Sequence, residues 1–200
     1  MSAQVYELIE SGGYIEGAEA EGLNFGDFSE HGLRILDSQF SGCSMDGTVF
    51  SACHFSDVVF TGLSAPEVSF VDSGLQDVTI SQSRLGGVQA FGTSWTRGRF
   101  EVAKIGFFNL RGARLNTVRF VGCAIEELDL SAATAKSVVF EDCTIEHLVL
   151  TGATCTKVDL RGARISRVTD ISGLKGTIMS PEQFADLAPS FATMLGISLK

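Results

Sequence analysis

The sequence predicts an all-β fold, a parallel β-solenoid whose chain turns four corners in every coil of 20 residues. Two observations predict it: apolar residues recur at every fifth position, and similar apolar residues recur at every twentieth. Every fifth residue from Phe25 to Ile165 gives 29 positions, of which 28 are apolar and only Glu30 is not. Neither an α-helix nor a flat strand keeps residues with this spacing on one side. The chain must therefore turn a corner within each five-residue unit.

The number of sides follows from the longer period. The five-residue positions read Phe-Ile-Leu-Leu from Phe100, Phe-Ile-Leu-Ala from Phe120 and Phe-Ile-Leu-Cys from Phe140. Four units therefore make one coil, and these three phenylalanines are predicted to stack. Residues two positions earlier are small or apolar and form a second inward column. Glycine often lies two positions later, where its tolerance of unusual backbone angles suits a corner. Residues 25–168 predict about seven coils.

Two units stand out: Val158-Asp159-Leu160-Arg161-Gly162 and Leu128-Asp129-Leu130-Ser131-Ala132. They resemble the A-(D/N)-L-x-x unit of the pentapeptide-repeat family, and the resemblance covers about three quarters of the chain. It implies a right-handed quadrilateral parallel β-helix, in agreement with the four-sided coil predicted from the periods.

The two ends depart from the repeat and predict three segments. Residues 1–22 are predicted to be an N-terminal cap, residues 23–170 the solenoid, and residues 171–200 a C-terminal helical cap or dimerisation segment. Ser180 and Gln183 form a capping-box pair around Pro181, which predicts a helix start. Pro189 is expected to kink or split this helix, and Gly196 can end it.

The C-terminal helix carries apolar residues at helical spacing. It can cover the last coil, pair with a second copy, or do both; pairing resembles the C-terminal dimerisation of quinolone-resistance members of the family. One set of apolar residues can serve both roles. The residues predicted for the homodimer interface are Phe184, Leu187, Phe191, Met194 and Leu195.

Composition argues against several classes of function. No apolar run is long enough to span a membrane and the first residues do not resemble a signal peptide, so we expect a cytoplasmic protein without membrane contact. The five cysteines fall on inward positions and show no metal-ligand spacing, and the three histidines are scattered. We therefore expect no metal, no cofactor and no catalytic residue, and we predict that the chain is not an enzyme.

Charge is unevenly distributed along the chain. Residues 1–83 contain thirteen acidic residues and one basic residue, whereas residues 84–119 contain seven basic residues and one acidic residue. We call residues 84–119 the basic belt. Residues 23–83 have a charge of −7 over roughly three coils, about one charge per 2 Å of axis, close to the value of duplex DNA. The predicted acidic interaction surface comprises Asp37, Asp57, Asp77, Asp46, Glu67 and Asp72.

This surface suggests a non-catalytic interaction protein. Some members of the pentapeptide-repeat family, which this sequence resembles, mimic DNA and bind type II topoisomerases such as DNA gyrase. The acidic residues 1–83 suit such a partner. The basic belt argues against it, because a faithful mimic would be acidic along its whole length. The alternative is a structural or protein–protein interaction scaffold with another partner. Direct nucleic-acid binding is not expected, because the chain is acidic overall, with a net charge of −9.

Overall fold

The fold is a four-sided parallel β-solenoid with one C-terminal α-helix. A computed structural model describes residues 3–9 and 11–198. Its elements are α1 Ala3–Tyr6, β1 Tyr14–Glu16, β2 Glu19–Glu21, β3 Ser29–His31, β4 Arg34–Ser41, β5 Thr48–Ser51, β6 His54–Thr61, β7 Ser64–Ser69, β8 Gly74–Ser81, β9 Arg84–Gln89, β10 Ser94–Thr96, β11 Arg99–Glu101, β12 Lys104–Asn109, β13 Arg114–Asn116, β14 Arg119–Val121, β15 Ala124–Asp129, β16 Thr134–Lys136, β17 Val139–Glu141, β18 Cys143–Val149, β19 Thr154–Thr156, β20 Val158–Asp159, β21 Ala163–Thr169, β22 Thr177–Ile178, a 3₁₀ turn Ile171–Leu174, and α2 Pro181–Met194.

Each strand pairs in parallel with the strand one coil later, and through most of the solenoid the pairing shift is 20 residues. Phe100 lies opposite Phe120, and Phe120 lies opposite Phe140. The coil begins earlier than the boundary predicted at residue 23, because β1 and β2 already pair with β4. This additional turn gives about eight coils, one more than the sequence predicts.

The four sides of the coil are numbered in chain order from β1. Side 1 contains β1 and the equivalent residues of later coils, such as 54–56 and 114–116; side 2 contains 99–101 and 119–121. Side 3 contains 84–86 and 104–106, and side 4 contains 29–31 and 49–51. Edge 1/2 is the corner at residues 37, 57, 77 and 97. Edge 3/4 is the corner at residues 27, 67 and 127, half a coil away and therefore on the opposite side of the rod.

The core consists of stacked inward columns, as the five-residue period predicts. The rings of Phe100 and Phe120, and those of Phe120 and Phe140, have centroids 4.8 Å apart and planes tilted by only 7°. Phe50 and Phe70 also stack, with centroids 5.5 Å apart. These rings are buried. Because one coil repeats the shape of the next, each ring buries its apolar faces against its neighbours without a ligand.

The corners explain the polar part of the unit. Residues two positions after an inward centre adopt positive φ at many corners, including Asp57 at 57° and Gly62 at 68°. The Asp or Asn before a centre supports the following turn by accepting a backbone hydrogen bond. Asp129 accepts from the amide of Ser131 at 2.9 Å, and Asp159 accepts from the amide of Arg161 at 3.1 Å. Such Asx turns favour these residue types over apolar ones.

Both ends of the solenoid are covered by other parts of the chain. Val5 of α1 is buried against the first coils. At the other end Ser180 and Gln183 form the expected capping box, and the Gln183 amide donates to the carbonyl oxygens of Leu160 and Ala163, both at 2.6 Å. The Leu160 carbonyl also accepts from the amide of Ala163 at 2.9 Å, so the bond to the Ala163 carbonyl is the one that replaces a following strand.

Of the two outcomes predicted for Pro189, a kink or a split, the split does not occur. Helix α2 continues from Pro181 to Met194 with Pro189 inside it, and Gly196 follows at a φ of 70°. Proline removes the hydrogen bond to the carbonyl of Ala185. Both residues are exposed, so water can bind that carbonyl and the helix tolerates the loss.

Candidate interaction surfaces

Edge 1/2 carries a row of aspartates in consecutive coils. Asp37, Asp57 and Asp77 have φ angles of 46°, 57° and 53°, and the pairing of β4, β6 and β8 places one above another. Neighbouring coils are about 4.8 Å apart. Among the described residues neither Asp37 nor Asp57 has an ion pair, and Asp57 accepts a hydrogen bond only from its neighbour Ser56, at 3.0 Å. The row therefore presents negative charge to solvent.

Arg97 occupies the next position of the same edge and ends the acidic row. Its Nε donates to Oδ1 of Asp77 at 2.6 Å, and its Nη2 donates to Oδ2, so the pair is bidentate. The hydrogen bond from the Arg97 guanidinium lowers the pKa of Asp77 below its ordinary value. Of the three aspartates of this row, two remain without a cationic partner in the described part of the chain.

The basic belt is largely neutralised by neighbouring carboxylates. Four of its seven basic residues form ion pairs: Arg97 with Asp77, Arg99 with Glu101, Arg111 with Asp129, and Arg119 with Glu141. Over the described residues, Arg84, Lys104 and Arg114 have no ion pair. The run of basic residues in the sequence is thus not a continuous positive surface.

Asp129 differs from the other partners because its side chain is only 1% exposed. Burial alone would raise its pKa. Hydrogen bonds from Ser131 and from the Arg111 guanidinium, whose Nε lies 2.6 Å from Oδ2, more than offset that effect and lower the pKa. This carboxylate therefore has a structural role in the turn.

The other residues predicted for the acidic surface lie elsewhere on the rod. Asp46 belongs to side 3, Glu67 to edge 3/4 and Asp72 to the corner after side 4, and all three are exposed. The six predicted residues therefore do not form one patch, because the sequence run of acids wraps around the coil. Asp27, Asp46 and Glu67 lie on or beside edge 3/4 and make a second acidic row opposite the first.

The C-terminal helix divides the five residues predicted for an interface into two groups. Leu187 is 1% and Phe191 9% exposed, because they pack within this chain, so the prediction needs correction for these two. Phe184, Met194 and Leu195 are exposed, at 61%, 39% and 62%. The ring of Phe184 packs partly on Phe191, with centroids 5.3 Å apart.

Groups that could support chemistry are dispersed. All five cysteines are free and buried, and burial raises the pKa of Cys43, Cys53 and Cys155. His147 lies between Glu127 and Thr169, at 3.0 and 2.8 Å. In the described part of the chain no three His, Cys, Asp or Glu side chains come together as metal ligands, and none of its helices is long and apolar enough to cross a membrane.

Side 3 contains a groove that the sequence interpretation missed. It has a volume of about 540 Å³ and runs along the rod beside Arg84 and Lys104, over Gly86 and Gly106, to Glu126 and Glu146. Gly86 and Gly106 come one position after a centre, whereas the corner glycines come two positions after. This unusual placement was the available signal that they have a different purpose.

Comparisons with known proteins agree with the repeat. Residues 33–110 match the family model described as pentapeptide repeat region. No curated protein matches significantly. Among solved structures, a trypsin-treated variant of QnrB1, a plasmid-mediated fluoroquinolone resistance protein, is 16% identical, with a TM-score of 0.39, over 94% of this chain and 98% of that one. Rfr23, a pentapeptide repeat protein from the cyanobacterium Cyanothece 51142, is 14% identical, with a TM-score of 0.27, over 75% of this chain and 95% of that one.

The family match covers the middle coils, and the same unit continues on both sides of it. Strands before residue 33 and after residue 110 pair with a 20-residue shift, as in the matched part. Phe120 and Phe140, outside the match, stack as Phe50 and Phe70 do inside it. Residues 33–110 therefore match the pentapeptide-repeat family model, and the 20-residue pairing of that segment extends to both sides of it.

Proposed function

We propose that the chain is a non-catalytic interaction protein whose acidic N-terminal half imitates duplex DNA and binds a type II topoisomerase such as DNA gyrase. The carrying observation is the row of Asp37 and Asp57 on edge 1/2, stacked about 4.8 Å apart and without cationic partners in the described residues. A protein that binds duplex DNA contacts the phosphates with Lys and Arg side chains. A regular row of carboxylates on a narrow rod is complementary in charge to such a surface.

The second acidic row strengthens the proposal. Asp27 and Glu67 on edge 3/4, with Asp46 beside them, lie half a coil from the first row. Two rows of negative charge on opposite edges of a rod correspond to the two phosphate backbones of a duplex. A single acidic patch on one side would fit an ordinary basic protein surface equally well.

The pairing within the basic belt removes part of the objection raised by the sequence. Three arginines of the belt form ion pairs with nearby carboxylates and therefore add little net positive potential. These pairs are Arg99 with Glu101, Arg111 with Asp129, and Arg119 with Glu141. The acidic row of edge 1/2 is nonetheless confined to the N-terminal coils, since Arg97 ends it. We therefore place the topoisomerase contact on the coils before residue 90.

A supercoiling assay with DNA gyrase tests this function. We expect the chain, in molar excess over gyrase, to inhibit supercoiling or to protect gyrase from inhibition by a fluoroquinolone. No effect on either reaction at any excess would contradict the proposal and favour the alternative, a structural or interaction scaffold.

Charge variants make the assay specific for edge 1/2. The double substitution Asp37→Asn and Asp57→Asn removes two charges while keeping residues that tolerate positive φ. We expect it to weaken the effect about tenfold, since lost charge complementarity lowers association. The matched control, Asp142→Asn with Asp186→Asn, removes two charges outside both acidic rows, one from a corner with φ of 51° and one from an exposed position of α2. A smaller loss of the effect on gyrase in the control would show that the aspartates of edge 1/2 act as a defined site and not through net charge alone.

We further propose that two copies pair through the exposed apolar residues Phe184, Met194 and Leu195. These are large apolar side chains on the outer surface of α2 and just after it, and clustered exposed apolar residues are typical of interfaces. Phe184→Asp with Leu195→Asp should convert a dimer into a monomer of unchanged fold, as measured by light scattering. A wild-type chain that is monomeric at all concentrations would contradict this proposal.

A further inference from the structure

The groove on side 3 exists because two stacked residues lack side chains. A Cβ atom added to Gly86 would lie 2.4 Å from the carbonyl oxygen of Pro66, and one added to Gly106 would lie 2.6 Å from the carbonyl oxygen of Gly86. Neither glycine has the positive φ of the corner glycines. Their role is the close approach of neighbouring coils, and the result is a floor of bare backbone.

The N-terminal half of the groove carries two adjacent cations. Arg84 and Lys104 lie directly opposite each other in the pairing of β9 and β12, so the two strands that carry them are about 4.8 Å apart. Both are exposed, and in the described part of the chain neither has a carboxylate partner, unlike Arg97, Arg111 and Arg119. Two stacked cations repel each other, and an external carboxylate between them would relieve that repulsion.

The C-terminal half carries the opposite charge. Glu126 and Glu146 line the same groove in the next two coils. Glu146 accepts a hydrogen bond from Ser166 at 3.0 Å, and no cation pairs with Glu126 among the described residues. The centre of this carboxylate pair lies two coils beyond the centre of the cation pair, or about 10 Å along the axis.

The rim next to the cations is apolar and strained. Val102 is 63% exposed and has a φ of 52°, a conformation that β-branched residues rarely adopt. It lies beside Arg84 and Lys104 at the corner between sides 2 and 3. A strained, exposed apolar residue beside unpaired charges is typical of a binding surface.

We propose that this groove binds an extended segment of another protein that carries an acidic and a basic side chain four residues apart. Successive side chains of an extended chain point to opposite faces, so an even separation puts both charged groups on the groove face, and four residues span about 13 Å. The two charged halves are about 10 Å apart along the axis and two residue positions apart across side 3, which is about 12 Å in all. The acidic side chain lies between Arg84 and Lys104, and the basic one lies between Glu126 and Glu146. The floor lacks only the side chains of Gly86 and Gly106, so the groove suits an extended chain better than a helix, whose diameter is about 10 Å.

A nucleic acid fits this groove poorly. A phosphate backbone running along it from the cations would reach Glu126, Glu127 and Glu146 within about two coils, and these carboxylates repel it. The site also does not depend on the acidic rows of edges 1/2 and 3/4 before residue 68. The two proposals can therefore succeed or fail separately.

Binding can be tested by NMR titration of the full-length ¹⁵N-labelled chain with synthetic peptides. The probes are eight-residue peptides with one Glu and one Lys four positions apart, in both orders because a segment can lie in either direction. A peptide with Gln at both positions and a duplex DNA oligonucleotide serve as comparisons. We expect a charged peptide to shift the amides of Gly86 and Gly106 at concentrations up to roughly 1 mM, with smaller shifts for the Gln peptide and for DNA.

Substitutions show whether the cations are responsible. Arg84→Gln with Lys104→Gln should weaken peptide binding about tenfold, whereas Arg114→Gln, which alters an exposed unpaired arginine on side 1, should leave it unchanged. Arg84→Glu with Lys104→Glu should prefer a peptide whose Glu is replaced by Lys. Larger groove shifts with DNA, equal binding of the Gln peptide, or no groove shift with any peptide would overturn the proposal.

Discussion

Arg97 lies one coil above Asp77 on edge 1/2, with its Nε 2.6 Å from Oδ1 of the carboxylate. The same edge presents aspartates in the coils before it. The guanidinium of Arg97 therefore ends the acidic row of edge 1/2, because it pairs with Asp77, the last aspartate of that row.

The first prediction concerns the stability of this pair. The hydrogen bond from Arg97 lowers the pKa of Asp77. The pair therefore stabilises the fold above the unfolded pKa of about 3.9, and this stabilisation is lost as the pH falls through the folded pKa. Arg97→Asn should lower the free energy of unfolding only slightly at neutral pH, because the pair is exposed. Urea unfolding from pH 7 to pH 2 should show this difference shrink below about pH 4. A difference that grows on acidification would contradict the assigned pair.

The second prediction separates two adjacent glycines of side 3. Gly86→Ala should destabilise the fold by about 1–3 kcal/mol, since its Cβ would lie 2.4 Å from a backbone oxygen. Gly87→Ala is the control, because its nearest neighbour would be 3.8 Å away; it should be neutral or stabilising by up to about 1 kcal/mol. Thermal unfolding measures both. Equal effects would show that the close approach at Gly86 is absent.

The third prediction tests the stacked core. Phe120 lies between Phe100 and Phe140 with 4.8 Å between ring centroids on each side. Phe120→Ala should cost about 3–5 kcal/mol, because the cavity cannot collapse without moving both neighbours. Phe91→Ala, at a residue 42% exposed, should cost less than about 1 kcal/mol. Comparable losses in denaturant unfolding would contradict the inward column.

The fourth prediction concerns the buried carboxylate of Asp129. Asp129→Asn keeps an acceptor for the amide of Ser131 but loses the charge-assisted bond from Arg111, and it should cost about 1–3 kcal/mol at pH 7. Since the folded pKa is lowered, the cost should fall below about pH 4. Asp159→Asn, at a more exposed Asx turn, should cost less at every pH. A larger effect at Asp159 would argue against the burial of Asp129.

Most of the fold follows from the sequence because a solenoid repeats one local rule. A centre such as Phe120 needs only its neighbours 20 residues away to define its surroundings, and those can be identified from the period. The capping box at Ser180 and Gln183 was equally local. The sequence could not exclude a split at Pro189, because the consequence of a missing hydrogen bond depends on whether the freed carbonyl meets water, and that depends on how the helix docks.

The surface was less predictable, because it depends on which side of the coil a residue reaches. The 20-residue spacing of Asp37, Asp57 and Asp77 places them in one row, and the same spacing relates Arg97 to Asp77. Asp46 and Asp72 were grouped with that row by sequence proximity alone, although they lie on other sides. The side 3 groove was missed because an absent side chain at Gly86 has no composition signal of its own.

The most direct test of the proposed function is competition between this chain and duplex DNA for DNA gyrase. We expect the wild-type chain to displace a bound fluorescent duplex competitively, and the double substitution Asp37→Asn and Asp57→Asn to require about tenfold more protein. Simultaneous binding of the chain and the duplex, or no binding of the chain to gyrase, would contradict DNA mimicry by edge 1/2.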